Sequence, residues 1–256
     1  MSLELVRDGA IATLAIDRAA VHNAFDDALI GELTAALEGI AAQSDVRVLV
    51  LTGRGASFSA GADLGWMQRM AAADEATNHA DALALARLMR VLDELPQATI
   101  ARVNGPAYGG GVGLIACCDI AVGCDSARFG LTETRLGLVP AVISPYVLRA
   151  IGARWSRRLF LTAEIFDAAR AADIGLLHEV VPADQLDATV ARLARQLLRA
   201  GPAAVREAKA LVRRIADLAD PDARDNTNAA LIARLRVSAE GQEGIGAFLG
   251  KRDPAW

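Results

Sequence analysis

The chain opens on a two-residue period. Leu3 and Leu5 share one face, and after the turn at Asp8-Gly9 the pattern resumes with Ile11, Leu14 and Ile16, which predicts a β-hairpin. The period then lengthens. Leu29, Ile30, Leu33, Leu37 and Ile40 recur at helical spacing and predict a helix over 26–42. An unbroken apolar run over 46–51 predicts a buried strand, ended by Thr52-Gly53-Arg54-Gly55. Helical patterns over 64–73 and 75–95 precede a strand over 99–103, stopped by Asn104-Gly105-Pro106.

After an apolar helix ending at Cys118, the pattern predicts strands over 119–123 and 127–129 and a short helix over 132–136. Helices over 144–151, 154–162 and 167–173 and a strand over 177–181 follow. From 184 to 249 helix succeeds helix, broken at Gly201-Pro202, Asp220-Pro221 and Gly241. Strands interleaved with helices imply an α/β core, with the strand connectivity left open. We place the core at 1–195 and a helical segment at 196–256.

With 256 residues, 53% of them hydrophobic, the chain can bury a sizeable core. A net charge of -4 gives no general attraction to nucleic acid or to an anionic membrane. No apolar stretch is long enough to span a bilayer. The first residues carry charges where a secretory signal would be apolar, so a cytoplasmic protein is expected. Cys117, Cys118 and Cys124 are odd in number and lack metal-ligand spacing with the three histidines; they read as small buried hydrophobes kept reduced. No metal site is expected, and His22, His79 and His178 receive no role.

The most telling segment is Asn104-Gly105-Pro106-Ala107-Tyr108-Gly109-Gly110-Gly111, set just before the apolar run 112–118. Consecutive glycines bury no side chain and cost backbone entropy. In exchange they offer bare N–H groups, with the positive end of a helix behind them. Ser59-Ala60-Gly61-Ala62-Asp63 repeats the arrangement upstream, again before a helical pattern. Two such turns converging on one oxygen would make an oxyanion hole.

These blocks, in this order, resemble the crotonase superfamily of enoyl-CoA hydratases and isomerases. The resemblance spans essentially the whole chain: Asn23-Ala24, the run 58–64, Val103-Asn104-Gly105 through Gly111, Cys118-Asp119-Ile120, Phe129-Gly130 with Glu133 and Leu136-Gly137, and Glu243-Gly244 to Lys251-Arg252. It implies a spiral of ββα turns followed by a helical trimerisation segment, with trimers or dimers of trimers. It makes the Ala62 and Gly110 amides the donors to an acyl-CoA thioester oxygen. Coenzyme A is then part of the substrate and no separate cofactor is implied.

Family hydratases use two glutamates to deliver water and a proton. The second matches Glu133; the first matches Gly113, which can hold neither water nor a proton by a side chain. A single glutamate leaves two mechanisms. Glu133 orients water and relays protons, or it moves one proton between two carbons as an isomerase does. A catalytically silent CoA-binding oligomer is the third reading. The segment Leu138-Val139-Pro140-Ala141-Val142-Ile143-Ser144-Pro145 resembles that of bacterial methylglutaconyl-CoA and isohexenylglutaconyl-CoA hydratases, which act on branched, carboxylate-bearing acyl-CoAs in leucine and acyclic terpene breakdown. It favours hydration.

The resemblance marks Ala24, Ala60, Asp63 and Leu64 as CoA-contacting and Gly109, Gly111, Gly113 and Pro140 as surroundings of the acyl group. Asp63 also reads as a helix cap. Trp66, Met67 and Met70 either line an acyl tunnel or pack the core. Lys251 matches a position reaching a neighbouring subunit's CoA phosphates, and Phe248 before it is a substrate-binding candidate. Arg18 and Arg54 are alternative phosphate partners, and Asp119 reads as structural.

Overall fold

A computed structural model describes residues 2–217 and 220–256. Strands β1 (Leu3–Asp8) and β2 (Ile11–Ile16) form the expected hairpin, with Leu3 opposite Ile16 and Asp8 opposite Ile11. Strand β3 (Val48–Gly53) lies parallel to β2, β4 (Ala98–Val103) parallel to β3, then β6 (Ile120–Cys124) and β9 (Glu179–Val181), all in one sheet ordered β1-β2-β3-β4-β6-β9. Every residue of β3 is buried, as befits a central parallel strand covered on both faces.

A smaller sheet joins β5 (Ala107–Tyr108), β7 (Arg128–Gly130) and β8 (Ile165–Asp167). Parallel bridges from Ser59 to Ala107 and from Phe25 to Ala62 extend this second layer back along the chain. The chain therefore climbs repeatedly from a strand of the large sheet to an extended segment of the small layer and then into a helix. That is the ββα spiral. Helix α1 (Asp27–Ala41) buries Leu29, Ile30, Leu33, Leu37 and Ile40 and packs on α3 (Glu75–Asp93). Helix α2 (Leu64–Ala72) buries none of its residues fully. Helix α4 (Gly110–Cys117) is buried almost all round, between α3 and α5 (Ser144–Thr162).

Several boundaries differ from those predicted. The strand expected over 46–51 sits two residues later, its start set where Arg47 and Val48 both donate to Ala10 O. The strand expected from 177 begins at Glu179, since Leu176 and Leu177 instead donate to Ala171 O in a buried turn. The two helices expected over 144–151 and 154–162 are both present within α5, and Gly152, with a φ of 73°, breaks the helical geometry between them. Strands β5 and β8 have no counterpart in the expected elements.

After α6 (Ala168–Asp173), helix α7 (Leu186–Leu198) runs across residue 195 and lies on β3, β4 and β6. The helices that follow are α8 (Pro202–Asp217), α9 (Pro221–Val237) and α10 (Ala239–Leu249). Asp119 is structural as expected. Its Oδ2 accepts from Thr99 N at 2.8 Å and Thr99 Oγ1 at 2.9 Å, and Lys209 Nζ of α8 lies 2.8 Å away. The Lys209 side chain is 11% exposed, so losing its partner leaves a largely desolvated cation. Asp119→Ala should lower stability by about 2–3 kcal/mol, measured by urea denaturation, with Lys209→Met losing less because the Asp119 carboxylate it leaves behind is 31% exposed and keeps both Thr99 hydrogen bonds.

Candidate active site

Three segments meet at the N-terminus of α4. The turn 59–62 lies against 108–111: a Cβ on Gly61 would stand 2.8 Å from Tyr108 O, and one on Gly111 2.8 Å from Ser59 O. Phe25 connects both. Phe25 N donates to Gly61 O at 2.6 Å and Asp63 N donates to Phe25 O at 2.7 Å, so the Ala62 amide between them points away from Phe25. The Phe25 ring fills the space a side chain at Gly110 would need, its Cε2 2.7 Å from that Cβ position. Only glycine permits this contact.

The two candidate donors are free. Among the described residues neither the Ala62 nor the Gly110 N–H has an acceptor, and α4 has no side-chain cap. Ala62 is exposed and Gly110 half-buried. Gly109 supplies the turn into the helix at φ 49°, ψ -116°, and its N–H donates to Gly130 O at 2.9 Å. A helix start left uncapped is a ready site for negative charge.

Glu133 opens a 3-10 turn (Glu133–Leu136) after β7 and brings its carboxyl to this place. A Cβ on Gly109 would stand 3.1 Å from Glu133 Oε1. Glu133 Oε2 is buried without a hydrogen-bond partner among the described residues. Burial pushes the carboxyl above its ordinary value of 4.5, opposed only by a backbone hydrogen bond. A desolvated carboxyl beside two bare amides is suited to proton exchange.

The place of the other family glutamate is filled. A Cβ on Gly113 would stand 2.3 Å from Ile143 Cγ2 and 3.3 Å from Met89 Cε. Ile143 and Met89 are 3% and 0% exposed. Pro140 is buried in the segment that delivers Ile143. Nothing in the spacing of the sequence linked residues 113 and 143.

The remaining predicted positions divide. Ala24 is buried, and its carbonyl accepts from Arg18 Nη1 at 2.6 Å; Ala60 N donates to His22 O at 2.9 Å. Asp63 caps α2, accepting from Gly65 N and Trp66 N. Leu64 is 77% exposed beside the donor turn. Trp66 is half-buried and its Nε1 donates to Asp81 Oδ1 at 3.0 Å, which moors α2 to α3. Phe248 is 83% exposed, and Lys251 is exposed after α10, whose main packing partner in this chain is α9. Arg54 pairs with Glu4. Among the described residues no group of three or more His, Cys, Asp or Glu could hold a metal ion, and no helix is long and apolar enough to cross a membrane.

Bare amides from two turns with one desolvated carboxyl are the groups that chemistry through a stabilised enolate would need. The comparisons agree. The family model for enoyl-CoA hydratase/isomerase matches residues 7–256, and the chain belongs to that family, within the crotonase superfamily. A crystal structure of an enoyl-CoA hydratase from Shewanella pealeana superposes with TM-score 0.97 at 43% identity, covering 100% of this chain and 96% of that one. A 2,3-dehydroadipyl-CoA hydratase from Escherichia coli is 33% identical over 97% of this chain and 95% of its own. A crotonyl-CoA hydratase from Syntrophomonas wolfei is 32% identical over the same shares, 97% and 95%. The protein is thus an enzyme of this family acting on acyl-CoA.

Glu133→Gln should cut turnover at least ~100-fold while raising the melting temperature at pH 7. The sign follows from linkage. A carboxyl whose folded pKa lies above its unfolded value holds a proton in the folded state that the unfolded chain has lost, so stability falls as pH rises between the two. The gain should therefore fade as pH drops below 4.5, where both states are protonated. Melting curves of both proteins across pH read it directly.

Proposed function

We propose that this enzyme is a hydratase that adds water to an enoyl-CoA whose acyl chain carries its own carboxylate, of the branched glutaconyl type. The Ala62 and Gly110 amides hold the thioester oxygen. Glu133 takes a proton from water as the oxygen bonds to Cβ, and the C=C electron pair moves onto the thioester oxygen as an enolate. As the enolate collapses, Glu133 returns the proton to Cα. The donors act on charge that grows along the reaction, and so favour the transition state over the ground state.

The observation that carries this reading is the hydrocarbon at Gly113. Ile143 and Met89 crowd the place where any side chain at 113 would begin, which supports Glu133 working alone at the α4 N-terminus. A substrate acid can then take over part of the task of orienting water. Hydration rather than isomerisation is favoured by the names of the relatives, among them hydratases of 2,3-dehydroadipyl-CoA and crotonyl-CoA. Isomerisation remains the second reading because one carboxylate suffices for it.

The same reading includes a trimer or a pair of trimers in the cytoplasm, built through the segment 196–256. Val212, Val237, Phe248 and Leu249 there are 70%, 78%, 83% and 74% exposed, an apolar surface that water does not favour. Phe248 and Lys251 would then reach a neighbour's CoA. Three free cysteines suit a reducing compartment.

Purified enzyme offered 3-methylglutaconyl-CoA, crotonyl-CoA and a 3-enoyl-CoA should hydrate the first with kcat/KM at least about tenfold above the second. Turnover of the 3-enoyl thioester alone would make it an isomerase. Binding of CoA with no turnover of any thioester would make it a silent oligomer. In sedimentation equilibrium, Val237→Asp should shift the mass toward the 26.8 kDa monomer. An unchanged mass would remove α9 from the interface.

A further inference from the structure

We propose that Arg18 is a positioning residue for the oxyanion donors, acting as a clamp on the bridge between Phe25 and Ala62. This inference rests on the reading of the Ala62 and Gly110 amides as thioester donors. Arg18 touches both sides of that bridge. Its Nη1 donates to Ala24 O at 2.6 Å, one residue before Phe25. Its Nη2 lies 2.7 Å from Asp26 Oδ2, one residue after Phe25, and 3.5 Å from Asp63 Oδ2, one residue after Ala62.

The two aspartates are used alike. Asp26 Oδ1 accepts from Leu29 N at 2.8 Å and caps α1; Asp63 Oδ1 accepts from Gly65 N at 2.9 Å and caps α2. Each turns its other oxygen to Arg18. The guanidinium thus staples together the starts of the two helices that follow the bridged residues. Its planar fork suits this, since it donates in several fixed directions at once. The backbone of Arg18 is tied in as well: its N–H donates to Asn23 Oδ1 at 2.9 Å. Asn23 Nδ2 donates to Ser57 O at 2.7 Å, and Ser59 Oγ donates to Asn23 O at 2.8 Å.

The clamp reaches the second donor through Phe25, whose ring packs on Gly110. The Arg18, Asp26 and Asp63 side chains are only 20%, 20% and 19% exposed, so the ion pairs are partly shielded from water. With both aspartates engaged, Arg18 is not free to serve as a CoA phosphate ligand. Without the guanidinium, two acidic side chains face one another across the bridge and push its halves apart. A shift well under an ångström in donor position is enough to weaken an oxyanion contact.

The test uses butyryl-CoA labelled with 13C at the thioester carbonyl, which being saturated can be neither hydrated nor isomerised. Isotope-edited infrared spectra of the bound thioester read polarisation of its C=O, and calorimetry reads affinity. Wild type should shift the carbonyl band to lower wavenumber. Arg18→Met should lose most of that shift with Kd within about threefold of wild type, and Arg18→Lys, keeping charge without the fork, should fall between. Arg87→Met, which removes an exposed pair with Glu38, serves as the control and should keep the full shift.

A full shift in folded Arg18→Met overturns the inference, whether or not its melting temperature falls. A weakened Kd with the shift intact also overturns it and makes Arg18 a CoA ligand. Absence of the shift in wild type fails the donor reading itself. If Arg18→Met does not fold, Arg18→Lys and Asp63→Asn decide by the same spectrum.

Discussion

The site depends on one stretch of backbone pairing, the parallel bridge between Phe25 and Ala62. Pairing consumes the neighbours' polar groups on one side and leaves the Ala62 N–H facing outward on the other. The Phe25 side chain then presses its ring against Gly110 and fixes the spacing of the second amide. A residue contributing backbone to one donor and a ring to the other couples two turns that are distant in sequence. Phe25 is 2% exposed, so this coupling is anchored in the core.

Such a site must be supported by its surroundings, because it leaves polar groups bare. The uncapped start of α4 and the unpartnered Glu133 Oε2 each cost free energy that a hydrogen bond would recover. The same features are what a developing oxyanion and a mobile proton require. The cost is offset by placing α4 among α3, α5 and the sheet, where Val112, Leu114 and Ile115 are at most 1% exposed. Donors held in place by such packing would need little reorganisation as charge develops.

Much of this was legible in the sequence. The hairpin and α1 follow directly from the spacing of apolar residues, and the glycine block and Asp63 announce amides and a cap. Strands β5 and β8 were not, because two or three residues are too few to display alternation. The two-residue displacement of β3 depends on pairing with Ala10, a contact that no local pattern encodes. Glu133 was found by resemblance; its desolvation is a tertiary property. The Arg18 clamp was invisible for the same reason, since its partners are defined by how three turns meet.

Gly113 illustrates how a core closes over a position without a side chain. A carboxylate removed from a packed helix would leave a void, and voids forfeit contacts with the lining atoms. Here the space is not void: Ile143 and Met89 enter it so closely that no Cβ fits. The packing at Gly113 leaves Glu133 as the acid at the start of α4. Restoring glutamate at 113 would first require moving Ile143, and with it the buried end of the segment that follows Glu133. Carboxylate number and the packing of residues 140–143 are thus one structural variable, which ties the chemistry available to Glu133 to an apolar side chain ten residues away.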